Sequence, residues 1–278
     1  MTDAALRIAI PEPRPRGAPL WLRRRPELVL TPLVFLVLVA LWQAVAWSGV
    51  VSAFVLPAPS AIAASLVAGL RSGLFLQHGL VTLAEAAAGF AIAVAAGLVV
   101  GTLIAEIRLL ERTVYPCLVA IQTMPKIALA PLLVVWFGFG PGSKIAVAAI
   151  ISFFPMLVTT IAGLRDTDRG RLDVLLALGA APLRCLVSAK LPGALPHVFS
   201  GLSIAAVFAL TGAIVGEFVG ASAGLGYLIV QANARLNIPQ VFALLLVLGG
   251  IGVLAYGTIQ ALRRRLLFWA PKEERSSP

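Results

Sequence analysis

Charged residues are scarce along much of this chain, and their gaps define its elements. Residues 28–47, 145–164 and 241–262 contain no charge at all. Residues 81–105, 115–139 and 195–219 carry one each: Glu85, Lys126 and Glu217. A bilayer core of roughly 30 Å is crossed by about 20 apolar residues in a helix, so each run is long enough to span. None shows the in–out alternation of a barrel strand, and backbone groups in lipid must bond internally, so all six are expected to be helices. Between the first two runs stands Leu56-Pro57-Ala58-Pro59-Ser60, then an amphipathic stretch. Ser60 is expected to cap a helix over 60–76 lying along the outer interface.

The segment 165–196 is the longest polar interruption. Residues 173–178 are helix-compatible, Gly179 breaks the run, and Pro182 suits the first turn of a second short helix. Leu191-Pro192 and Leu195-Pro196 are expected to end the excursion and start the fifth span. The object foreseen is a pair of short helices joined by a tight glycine turn, an elbow projecting from the membrane.

Composition sharpens this. Of 278 residues 60% are hydrophobic and 12% charged, with mean hydropathy +0.98. Soluble domains carry about 25% charged residues, and a disordered chain is far less apolar. The fold class is therefore an all-α polytopic membrane protein with about six spans. The formal charge of +10 signals topology rather than nucleic acid. Eighteen of the 22 Lys/Arg lie before span 1, after spans 2 and 4, or in the tail. The opposite loops hold only Arg71, Lys144 and Arg235. That bias places both termini in the cytoplasm, with 1–27 and 263–278 as cytoplasmic segments flanking a membrane domain, 28–262, whose loop occupies 165–194. The Pro/Arg-rich stretch 11–26 is expected to be irregular, and span 1 to be a retained anchor. Cys117 and Cys185 lack metal or disulfide spacing and are read as small apolar fillers.

The order Asp173-Val174-Leu175-Leu176-Ala177-Leu178-Gly179-Ala180, with eleven residues between Gly179 and Leu191-Pro192, resembles the EAA loop of binding-protein-dependent ABC importer permeases. Asp173-Val174-Leu175 stands where Glu-Ala-Ala is usual. Gln122-Thr123-Met124-Pro125-Lys126, Trp136-Phe137-Gly138, Gly216-Glu217-Phe218 and Gly224-Leu225-Gly226-Tyr227 are similar to the nitrate/sulfonate/taurine branch. The resemblance implies the type I importer permease fold and a pore subunit of the bacterial inner membrane. It implies two separate cytoplasmic ATPase subunits, an extracytoplasmic solute-binding protein and a homodimer. The solute would be small and anionic, with a thiamine-precursor pyrimidine as alternative. The chain contains no Gly-Lys dipeptide, hence no phosphate-cradling GxxxxGK[ST] loop. It is not expected to be an enzyme or to bind a cofactor itself; ATP and Mg would sit on the partner. In the elbow, Leu176, Ala177, Leu178 and Ala180 would fill a groove on the ATPase, and Gly179 would allow the turn. Asp173 would cap or pair with a basic residue, and Arg184 would make an ionic contact. Leu191, Pro192 and Pro196 complete the coupling set.

Ionisable residues inside spans mark function or internal pairing. Lys126, between Pro125 and Pro131, either lines a passage for an anion together with Gln122 and Thr123, or pairs with Glu217. Glu217 is a candidate gate or counter-ion, and Glu85 reads as interfacial. Gly97-xxx-Gly101 and the Gly212, Gly216, Gly220 series are small-residue ladders read as internal packing. An ion-coupled secondary carrier using Lys126, Glu217 and Glu85 is the alternative class. No internal repeat of the kind such carriers show stands out.

Overall fold

The computed structural model describes residues 27–268, whose regular structure is all helix joined by turns and short irregular segments, with no strand among them. The basic tail residues Lys272 and Arg275 and the segment 11–26 lie outside the described residues. The chain divides after Ser60 into two compact units. In the first, α1 (Glu27–Trp47) is apolar on every face, as a lipid-facing helix requires. Gln43 in α1 exchanges two hydrogen bonds with Ser60, accepting from its N–H at 3.0 Å and donating to its hydroxyl at 3.1 Å. The next helix, α2, runs Pro59–Arg71. It begins with proline, so Ser60 lies inside the first turn rather than capping it.

The second unit continues with α3 (Leu74–Glu106), α4 (Arg108–Gln122), a short 3-10 turn (Lys126–Leu129) and α5 (Ala130–Phe137). Next come α6 (Pro141–Arg165), the elbow helices α7 (Arg169–Ala177) and α8 (Pro182–Cys185), and α9 (Leu191–Phe218). The last described elements are α10 (Leu225–Ala234) and α11 (Ile238–Leu266). Among the described residues, five helical runs are long and apolar enough to cross a membrane. The sixth expected span, 115–139, is a broken pair bent by 87°. Pro125 and Pro131 each remove a backbone donor there, and the chain turns through Thr123-Met124 before helix resumes.

Two further boundaries differ from the sequence expectation. The fourth helix starts at Pro141, so Lys144, expected in an outer loop, lies in its first turn. Leu191-Pro192 opens α9 as expected, with proline in its first turn, but no break in the chain precedes it, and Pro196 lies inside the helix. Pro182–Phe218 is one helical run of 37 residues, widened to a π turn over Leu186–Lys190. The Leu191 N–H reaches back five residues to the Leu186 carbonyl. That wider turn passes the chain into Pro192, which has no N–H to offer.

Helix α6 is the centre of this unit, packed against both α3 and α9. Close approach on both sides depends on glycine. A Cβ on Gly89 would stand 2.5 Å from Ala148 Cβ, and those on Gly97 and Gly101 would meet Met156 and Thr160 at 2.8 and 2.9 Å. From the α9 side, a Cβ added to Gly212 would stand 2.6 Å from Ala148 Cα, and one on Gly216 2.9 Å from Lys144 Cα. Both ladders therefore pack within this chain. Thr160, at the α3 interface, returns its hydroxyl proton to its own helix, on the Met156 carbonyl at 2.7 Å.

Candidate functional site

The elbow is built from its caps. Asp168 opens α7 by accepting from the Gly170 N–H at 2.9 Å. The capping role considered for Asp173 thus belongs to Asp168, five residues earlier, and Asp173 sits exposed within the helix. The helix ends in a Schellman turn: Ala180 N–H donates to the Leu175 carbonyl and Gly179 N–H to the Leu176 carbonyl, both at 2.9 Å. Gly179 has φ +72°, the left-handed conformation that a Cβ disfavours. Pro182 then begins α8 at its first turn. This local chemistry leaves apolar groups in the open. Leu178 is 78% exposed, and Val174, Leu176 and Leu183 are also exposed. Ala177 and Arg184 share that exposure, while Ala180 is half-buried. Leu191 is exposed, but Pro192 and Pro196 are half-buried in the helical root. They shape the root more than the tip.

The break between α4 and α5 holds the second set. Gln122 and Thr123 are exposed and Lys126 is half-buried. Lys126 Nζ donates to the Gln122 carbonyl at 3.3 Å and lies 4.6 Å from the centre of the Phe154 ring. It therefore satisfies a carbonyl near the break and rests on an aromatic face. It does not pair with Glu217.

Glu217 has other work. Its carboxylate, 1% exposed, accepts from Thr82 Oγ1 at 2.6 Å and from the Gly226 N–H at 2.5 Å. Thr82 accepts from the Leu225 N–H at 2.8 Å, and His78 Nδ1 from the Gly224 N–H at 3.0 Å. Three consecutive N–H groups at the start of α10 are thus met by side chains from α3 and α9. Those donors have no partner inside their own helix, and the helix dipole favours an anion there. Space is tight: a Cβ on Gly226 would stand 2.8 Å from Glu217 Oε2. Glu217, read from the sequence as a candidate gate or counter-ion, is seated in the structure against the glycines that open α10.

Lys144 faces the same region and is 1% exposed. Its Nζ donates to the carbonyls of Phe139 at 2.5 Å, Gly140 at 3.1 Å and Gly220 at 3.2 Å. One ammonium so joins the turns that follow α5 and α9. Glu85, 6% exposed, lies in electrostatic range of both Lys144 and Glu217. Rather than facing outward, it is part of a buried cluster of three ionisable side chains. Glu85 and Lys144 line an open pocket of about 200 Å³ bordered by residues 139–141 and 221–223. Sequence spacing hid this cluster because its members come from three elements and the neighbouring Thr82–Glu217 bond spans 135 positions. The available signal was a polar residue on the small-residue face of an apolar helix. Cys185 is buried as expected of a filler, whereas Cys117 is exposed.

A multi-pass helical bundle carrying a projecting elbow is the architecture of a membrane transport permease. Residues 93–268 match the family described as binding-protein-dependent transport system inner membrane component. The chain belongs to that family. It is 39% identical over 241 residues to a probable ABC transporter permease protein of Haemophilus influenzae, covering 86% of this chain and 98% of that protein. The formylaminopyrimidine transport permease protein ThiX of Halalkalibacterium halodurans is 36% identical over 241 residues, 87% of this chain and 96% of the other. A putative aliphatic sulfonates transport permease protein, SsuC of Bacillus subtilis, is 33% identical over 233 residues, 84% of each. Among solved structures, the inward-facing MetNI methionine ABC transporter aligns with TM-score 0.61 at 22% identity, covering 67% of this chain and 93% of that one. That likeness supports the fold. The protein is a multi-pass permease of an ABC importer in the inner membrane.

Proposed function

We propose that two copies of this chain form the pore of an importer, and that a separate ATPase seats on each elbow. The observation that carries this reading is the elbow's apolar tip. Val174, Leu176, Leu178 and Leu183 are exposed around a turn whose backbone bonds are already satisfied. A short helix with such a face is suited to a groove on a partner. Leu176, Ala177, Leu178 and Ala180 fill that groove, Gly179 sets the turn, and Asp173 and Arg184 flank it with charge. In this reading ATP and Mg remain on the partner. The elbow and both termini face the cytoplasm, following the basic residues, and a solute-binding protein delivers cargo on the other side.

Lys126, with Gln122 and Thr123 beside it at a break in the helix, supports a small anionic cargo such as a sulfonate. The 36% identity to ThiX favours an aminopyrimidine as a second reading. An ion-relay carrier has less support, since Lys126 is engaged with Gln122 and Phe154 while Glu217 holds α10. The test is reconstitution with the cognate ATPase and binding protein. Leu178→Glu is expected to abolish ATPase co-purification and ATP-driven uptake while membrane insertion persists. Uptake of an aliphatic sulfonate against an aminopyrimidine decides the cargo. Uphill uptake by the chain alone, without nucleotide, would refute the importer mechanism.

A further inference from the structure

Both roots of the elbow are tied by ion pairs to a single corner of the bundle, on either side of a one-residue joint. Helices α3 and α4 meet at Ile107, which alone between them is extended (φ −106°, ψ 104°). Just before the joint, Glu106 receives Lys190 Nζ on both carboxylate oxygens, at 2.8 and 2.9 Å. Lys190 closes the π turn at the elbow's exit. Just after the joint, Glu111 in the first turn of α4 pairs with Arg165 at 2.8 Å. Arg165 ends α6 at the elbow's entrance, and its guanidinium lies 5.7 Å from the centre of the Tyr115 ring, also on α4. Entrance and exit thus grip opposite sides of Ile107.

We infer that Arg165–Glu111 and Lys190–Glu106 are struts that convert displacement of the elbow into a swing of α4, and so into movement of the break at 123–125. The inference rests on the elbow-docking reading above. Helix α4 is a stiff arm. It has 15 residues, about 22 Å at 1.5 Å per residue. Its Leu110, Val114 and Leu118 stripe rides on Phe154, Leu157 and Ile161 of the core. A swing of about 10° at Ile107 moves the far end by roughly 4 Å over that length, which is the width of a solute-sized step at Gln122–Lys126. The wider π turn beside Lys190 gives the exit root a place to yield, as such turns do at working sites. These four side chains are positioning residues: they touch no cargo and act through α4.

The test uses the reconstituted complex and reads solute imported per ATP hydrolysed, together with retention of the ATPase and the Tm of the complex. Arg165→Gln, Glu111→Gln and Lys190→Gln are each expected to lower that ratio at least threefold, with the ATPase retained and Tm shifted by only a few degrees. Arg165→Lys, which keeps the pair, and the exchange Glu111→Arg with Arg165→Glu are expected to return the ratio to within about twofold of wild type. A wild-type ratio in the Gln variants overturns the strut inference and leaves docking intact, as does an exchange variant no better than the worse single change. A wild-type chain that holds no ATPase overturns both.

Discussion

The elbow's turn can be probed by changing only the backbone preference of Gly179. A Cβ placed there meets nothing within 4 Å in the chain, so substitution brings no internal clash. The cost is conformational: the left-handed region is unfavourable for an L-residue by roughly 1–2 kcal/mol, with asparagine the tolerated exception. At about 1 kcal/mol, alanine lowers the population of the Schellman turn relative to its unwound alternatives about fivefold. A β-branched valine stands nearer 2 kcal/mol, about thirtyfold. The turn's two bonds, Ala180 to Leu175 and Gly179 to Leu176, are what hold Leu178 outward. ATPase affinity should therefore follow turn population, with Gly179→Asn close to wild type, Gly179→Ala intermediate and Gly179→Val weakest. Quantitative pull-down of the ATPase by the detergent-solubilised permease, with uptake by the reconstituted complex alongside, reads the order. Equal loss for asparagine and valine would show that bulk at the partner surface decides rather than φ. Unaltered binding by valine would show that the turn is irrelevant to docking.

Removing Lys144 as Lys144→Met strands the Phe139, Gly140 and Gly220 carbonyls and leaves Glu85 and Glu217 without their cation. Breaking a buried ionic arrangement this way costs about 3–5 kcal/mol, read as a large fall in Tm in detergent. Glu217→Gln keeps an acceptor for the Gly226 N–H and is expected to cost less, about 1–3 kcal/mol; equal losses for both variants would contradict the capping account. Gly89→Leu must displace α6 at Ala148 and is expected to cost about 3 kcal/mol or more. Gly249→Ala, in a helix interior with nothing within 4 Å of the added carbon, should raise stability by about 0.5–1 kcal/mol, so a Tm that falls in both variants would refute the packing assignment. A cysteine at the elbow, Ala181→Cys in a Cys117→Ser background, should react with an impermeant maleimide only in inside-out vesicles; labelling in right-side-out vesicles would reverse the topology.

What the sequence revealed, and what it hid, divides along a physical line. Span existence was legible because lipid imposes a one-dimensional constraint: about 20 consecutive apolar residues, whatever their neighbours. The elbow was legible for a related reason, since Gly179 and Pro182 act on their own backbone and need no distant partner. The capping of α7 by Asp168 was equally local, but the family pattern drew attention to Asp173 instead. The broken span was half legible. Pro125 and Pro131 announced a disturbance, while the 87° bend depends on how α4 and α5 lie against α6. Charge was the hardest to read. An ionised group in an apolar run has the same one-dimensional signature whether it lines a passage, meets headgroups or pins a neighbouring helix. Lys126 stood out because it lies mid-run, yet among the described residues the most buried lysine is Lys144, which the sequence left at a loop edge. Its ammonium is buried because two turns, after α5 and after α9, converge their free carbonyls on one point. Glu217 is buried because α10 begins beside it with three N–H groups to satisfy. These charges follow from where helices end, and helix ends acquire their neighbours only when the bundle closes. A membrane protein's interior polar residues therefore serve first as caps for broken or short helices. Even Lys126 donates to the carbonyl of Gln122, the last residue of α4, so a transport role for it must be argued from the break it sits in rather than from its charge alone.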